Sequence, residues 1–112
     1  MIPDPSPPYE VDASGLFKDR LRRMLRRASD LGVRAEIDRA VGEISDLLTQ
    51  RPREWGDPIK DFRIIHFTQY HATHKGFVCI YSVHDRIPTV VVTNLIPLEG
   101  NPLYGGSYDT DG

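Results

Sequence analysis

The chain has 112 residues, 39% hydrophobic and 27% charged, with a formal net charge of −2. That length and balance exclude wholesale disorder and leave room for a single core. One cysteine, Cys79, excludes an internal disulfide framework; no apolar run is long enough to span a membrane, and the start MIPDPSPPYE has neither region of a signal peptide. The expectation is a soluble, cytoplasmic protein with no membrane partner and no cofactor.

Residues 1–8 carry four prolines (Pro3, Pro5, Pro7, Pro8) and read as an extended arm before one domain over 9–97. Tyr9-Glu10-Val11 alternates like a short edge strand. Ser14 stands where an N-cap belongs, and Phe17, Leu21, Met24, Leu25 and Ala28 follow at helical spacing, with Gly32 placed for a left-handed C-terminal stop. A second helix spans about 33–48, with Ile37, Ala40, Val41, Ile44, Leu47 and Leu48 on one face, until Pro52 forbids continuation. Gly42 inside it costs roughly 1 kcal/mol against Ala, which a closely packed neighbour would explain. The short link makes the two helices an antiparallel hairpin.

Residues 51–61 form a connector with Pro52, Gly56 and Pro58, pinned by Trp55 through its large apolar surface. Then 62–70, 77–83 and 89–96 are runs of β-branched and aromatic residues, separated by turns at 71–76 and 84–88. Residues 98–112, rich in Gly, Asp and Ser, read as a flexible tail anchored through Leu103 and Tyr104. The fold class is α+β, a helical hairpin packed on one face of a small antiparallel β-sheet. If the 71–76 turn pairs Tyr70 with Phe77, then Thr68 opposes Cys79 and His66 opposes Tyr81. Ile65, Phe67, Val78 and Ile80 would then meet the helices, and His66, Thr68, Tyr70, Cys79 and Tyr81 would line the exposed face.

This element order, with Pro8-Tyr9-Glu10-Val11 as first strand, residues 53–58 as helix-to-sheet link and Lys75-Gly76-Phe77-Val78-Cys79-Ile80-Tyr81 in the sheet, resembles the RelE/ParE superfamily of bacterial toxin–antitoxin toxins. The likeness covers roughly residues 8–97. It implies a toxin neutralised by an antitoxin, acting through its exposed sheet face either on mRNA at the ribosome (RelE-like) or on DNA gyrase (ParE-like). On the match an arginine of the family falls on Val78, and the usually basic first strand of the sheet keeps only Arg63. Cleavage of RNA needs proton movers and cations around the phosphate. Here His66 is the expected general base, with Tyr70 and Tyr81 on the same face and Arg63 or Lys75 stabilising the charged phosphorane. The alternative is a catalytically silent binding module, or a gyrase-directed toxin, on the same scaffold.

The first helix carries Arg22, Arg23, Arg26 and Arg27, and the last hairpin Arg86; these are candidate contacts for nucleic acid or an acidic partner, against the plainer reading of a solvated helix face. His71-x-x-His74 with His66 and Cys79 has zinc-compatible ligands but no defined zinc spacing, so no metal is expected. Apolar residues among Val90, Val91 and Val92 offer a surface for an antitoxin or a homodimer.

Overall fold

Helix α1, Gly15–Asp30, begins at the expected cap: the Ser14 side chain accepts the Phe17 N–H at 3.1 Å and fills one orphan donor of the first turn. The computed structural model describes residues 8–106 and Tyr108. Within them the elements run β1 (Glu10–Ala13), α1, α2 (Arg34–Gln50), α3 (Pro52–Trp55), β2 (Asp57–Phe62), a 3-10 turn (Arg63–Ile65), β3 (Phe67–His74), β4 (Phe77–His84) and β5 (Thr89–Pro97).

Gly32, at φ +76°, ends α1 in the left-handed conformation and lets α2 turn back. Met24 and Ala28 from α1 and Ile37, Ala40, Ile44 and Leu48 from α2 are buried, so both apolar stripes do face the core. Gly42 is exposed, and a Cβ there would meet nothing within 4 Å. The close neighbour expected at that glycine does not exist among the described residues.

The sheet has five strands in the order β1-β5-β4-β3-β2. β1 runs parallel to β5, and the other pairs are antiparallel. The α+β class holds and the short strand at 9–11 is present as β1, but the sheet is mixed, and β2 adds a strand within residues expected to be connector. Part of the difference lies in 62–70, which is not one strand. The chain reverses through Arg63–Ile65, His66 closes the turn at φ 60° with its N–H bonded to Arg63 O, and Phe62 lands opposite Phe67. Ile64 and Ile65 imitate a strand in sequence, yet they sit on the turn, 94% and 58% exposed.

The β3–β4 turn is also tighter than expected. Lys75 (φ 48°) and Gly76 (φ 81°) both take positive φ, as a two-residue type I′ hairpin turn requires, so β3 continues to His74. Tyr70 therefore pairs with Tyr81 instead of Phe77. The four-residue shift preserves alternation, and Thr68, Tyr70, Cys79 and Tyr81 still share a face. That face points at the helices, the reverse of the expectation. Tyr70, Phe77, Cys79, Tyr81 and Val83 join Val90, Val92 and Leu95 of β5 in the core, while Phe67, Val78 and Ile80 lie half-buried on the helix-free side. The inward set supplies the larger apolar layer, and the Tyr81 hydroxyl finds an acceptor there in Pro52 O.

Beyond β5 the chain packs where a flexible tail was expected. Asn101 is buried and donates from Nδ2 to Gly76 O at 3.0 Å, and Leu103 is fully buried. Tyr108 is also buried, its hydroxyl donating to Leu103 O at 2.7 Å, whereas Tyr104 is exposed; Leu103 anchors this stretch with Tyr108 in place of Tyr104. Residues 1–7 of the arm, and 107 and 109–112 of the tail, lie outside the described residues.

Candidate functional site at the His66 and His84 end of the sheet

The five residues expected to form one catalytic face occupy three places. Tyr70 and Tyr81 stand in the core, in a column with Trp55. Ring centroids are 5.5 Å apart at each step, and the planes lie within 8° (Trp55–Tyr81) and 7° (Tyr70–Tyr81). Trp55 Nε1 donates to Thr73 O at 3.3 Å and so pins the connector as expected. Burial pushes the Tyr81 phenol up from its ordinary value and the neighbouring Cys79 thiol up to about 12. Neither group is placed to meet a substrate on the open face.

Lys75 lies at the far end of β3 from His66. The eight residues of β3 separate them, nine steps or about 30 Å at an ordinary strand rise. There Glu43 accepts from His74 Nε2 at 2.8 Å and from Lys75 Nζ at 3.4 Å, clasping α2 to the β3–β4 turn. The His74 hydrogen bond, followed by Lys75, lowers the Glu43 pKa below the ordinary carboxylate value. His71 is exposed, His74 is held by Glu43 and Cys79 is buried on the helix side, so the metal grouping weighed above does not assemble. Among the described residues no group of three or more His, Cys, Asp or Glu is arranged to hold a metal ion.

Arg63 and His66 do remain together, and the fold brings them a partner that sequence reasoning treated as a turn residue. His84 ends β4 opposite Phe67, and the His66 and His84 ring centroids are 6.1 Å apart. The chain after β4 is tied back to this corner: Asp85 N–H donates to His66 O at 2.7 Å, and Thr68 Oγ1 donates to Asp85 Oδ1 at 2.9 Å. His84 Nδ1 accepts the N–H groups of Arg86 (3.1 Å) and Ile87 (3.2 Å), which places the proton of the neutral ring on Nε2. The Phe67 ring meets His84 edge-on at 4.9 Å and fixes its plane. Arg53 reaches over from α3 to donate to His84 O, and Arg63 pairs with Asp61 at 3.5 Å while its side chain stays 90% exposed.

Two imidazoles, with Arg53, Arg63 and Arg86 on the segments that frame them, thus converge from α3, the 3-10 turn and the β4–β5 loop. The chemistry available to the two imidazoles is proton transfer, and the carboxylates of Asp61 and Asp85 stand at the same corner as the arginines. Arg22, Arg23, Arg26 and Arg27 lie apart from it on exposed positions of α1, where Arg22 is engaged by Asp19 one turn back. The signal for His84 was present in sequence: a histidine opening the turn 84–88 has two downstream N–H groups within reach. Its meeting with His66 was not local information. No helix among the described residues is long and apolar enough to cross a membrane. Comparison with protein-family models, curated proteins and solved structures returned no match.

Proposed function

We propose that this chain is a toxin-type protein of the RelE/ParE kind that acts on RNA at its His66–His84 corner and is neutralised by an antitoxin. The observation that carries the reading is the 6.1 Å approach of two imidazoles in a corner framed by Arg53, Arg63 and Arg86. In this reaction His66 takes the proton from a 2′-hydroxyl, and the 2′-oxygen attacks the adjacent phosphorus. The bond to the 5′-oxygen breaks, and that oxygen takes up the proton that His66 accepted, leaving a 2′,3′-cyclic phosphate and a free 5′-hydroxyl. The neutral His84 ring donates a hydrogen bond from Nε2 to the phosphorane and keeps its proton. The arginines offset the charge that builds on the phosphorane. Val78 and the buried Tyr81 have no part in it, so the constellation differs from the one the resemblance implies.

The test is growth of a bacterial host after induction of the chain, beside His66→Asn and His84→Asn. Asparagine tolerates the left-handed backbone at 66 and keeps an acceptor for the turn N–H groups at 84, while neither variant retains an imidazole. Arrest by the original chain, relief by either variant and new transcript ends bearing 5′-hydroxyls are expected. Unchanged arrest by both folded variants defeats the nuclease reading. It favours a binding-type poison, a second reading supported by the helix-free face, where strand alternation places Lys60 as the one lysine or arginine among the described residues.

A further inference from the structure

Beside the histidine corner, the helix-free face holds an open groove of about 270 Å³. Phe62, Phe67 and Val91 form its apolar walls, and Gln69, Ser82 and Thr93 bring polar groups to it. The sheet register explains the layout: Phe62 pairs with Phe67, the next outward pair is Gln69 with Ser82, and Val91 follows Ser82 on β5. Phe67 belongs to both sites, since it walls the groove and packs edge-on against His84. Lys60 Nζ stands 5.1 Å from the centroid of the Phe62 ring, on the same face.

The polar groups are not spent equally. Thr93 Oγ1 donates to Ile80 O at 3.0 Å, but the Gln69 amide and the Ser82 hydroxyl have no hydrogen-bond partner among the described residues. An apolar side chain or helix seated here would strip water from both and leave them unpaired, a cost comparable to losing hydrogen bonds. A planar group with hydrogen-bonding edges would stack on the phenylalanines and satisfy both.

We infer that the groove seats one nucleobase of a single-stranded RNA whose adjoining phosphate lies at the His66–His84 corner. The inference rests on the RNA reading above and adds a base-holding subsite to it. Charge supports this occupant: Arg53 reaches the phosphate end, Arg63 and Arg86 lie on the two turns beside it, and no charged residue lines the groove, which suits a strand with anionic backbone and neutral bases. Amide and hydroxyl each donate and accept, so the subsite holds a base by stacking and edge contacts without demanding one sequence.

The test is fluorescence anisotropy at fixed salt with a fluorescein-labelled 2′-O-methyl oligonucleotide of about ten residues, which lacks the attacking hydroxyl and is not turned over. A matched abasic oligonucleotide keeps the backbone and removes the bases. Phe67→Leu should weaken binding of the base-containing strand about tenfold and Gln69→Ala should weaken it less, and Gln69→Ala, which does not touch His84, should bind the abasic strand as the original chain does. Thermal melts establish that each variant is folded. Gln69→Ala removes a side chain without internal partners, so the test survives if Phe67→Leu does not fold. If the original chain binds the two strands equally, or if both variants bind like it while Arg63→Ala/Arg86→Ala loses binding, the base subsite is overturned and the RNA reading stands. If the folded original chain binds neither strand, both fall.

Discussion

The two faces of this sheet come from the same strands and differ by a single step of alternation, yet one is core and the other lies open beside a groove. On the helix side the aromatic rings are stacked on one another at 5.5 Å, and the Tyr81 hydroxyl is bonded to a backbone carbonyl. On the open side Phe62 and Phe67 face a groove, and Gln69 and Ser82 have no hydrogen-bond partner among the described residues. Aromatic residues bearing hydroxyls therefore do not mark a binding face. What separates the faces is whether polar atoms are already satisfied within the protein.

That contrast breaks most sharply at Tyr81. Tyr81→Ala would remove the middle of the column and leave Pro52 O without its donor, at about 3–5 kcal/mol in urea denaturation. Phe67→Leu on the open face should cost under about 1.5 kcal/mol. Equal losses would show that the open face is as much core as the other.

The next effect is alkaline. The Cys79 thiol, ordinarily at 9.0, is held up to about 12 by burial, so the fold favours its protonated form. Its contribution is complete below the unfolded value and is lost as pH rises through the folded one, at about 1.4 kcal/mol per pH unit between them. Stability measured between pH 8 and 11 should fall along this course, and Cys79→Ala should flatten it. A native thiol that alkylates at pH 8 as fast as in urea would contradict the closed character of this face.

Gly56 sets how closely the α3–β2 link approaches that face. A Cβ there would stand 2.5 Å from the Tyr81 hydroxyl and 2.8 Å from His71 O, so Gly56→Ala should destabilise by about 1–3 kcal/mol. Gly42→Ala is the opposite and smallest case, because open space and helical backbone at an exposed position predict a gain of about 0.5–1 kcal/mol. Chemical denaturation of the pair separates a glycine kept by contact from one kept by nothing in the described structure.

Local patterns carried much of this protein. The Ser14 cap, the Gly32 stop, the two apolar stripes, the pinning of residues 51–61 by Trp55 and the grouping of Cys79 and Tyr81 on one face are all readable from residue order, since each depends on neighbours within a few positions. The turn at Arg63–Ile65 was hidden because Ile64 and Ile65 continue a strand-like run, and nothing local reveals that Phe62 will pair with Phe67. Which face meets the helices was also out of reach, because it depends on apolar area summed over β3, β4 and β5 together with an acceptor supplied by Pro52. The site is of the same kind. His66 and His84 were visible as residues, but their approach is decided by hairpin register and by the Asp85 N–H to His66 O bond, and both exist only once the sheet has closed. Periodicity records which side chains travel together; burial and register, settled across the whole chain, decide what they meet.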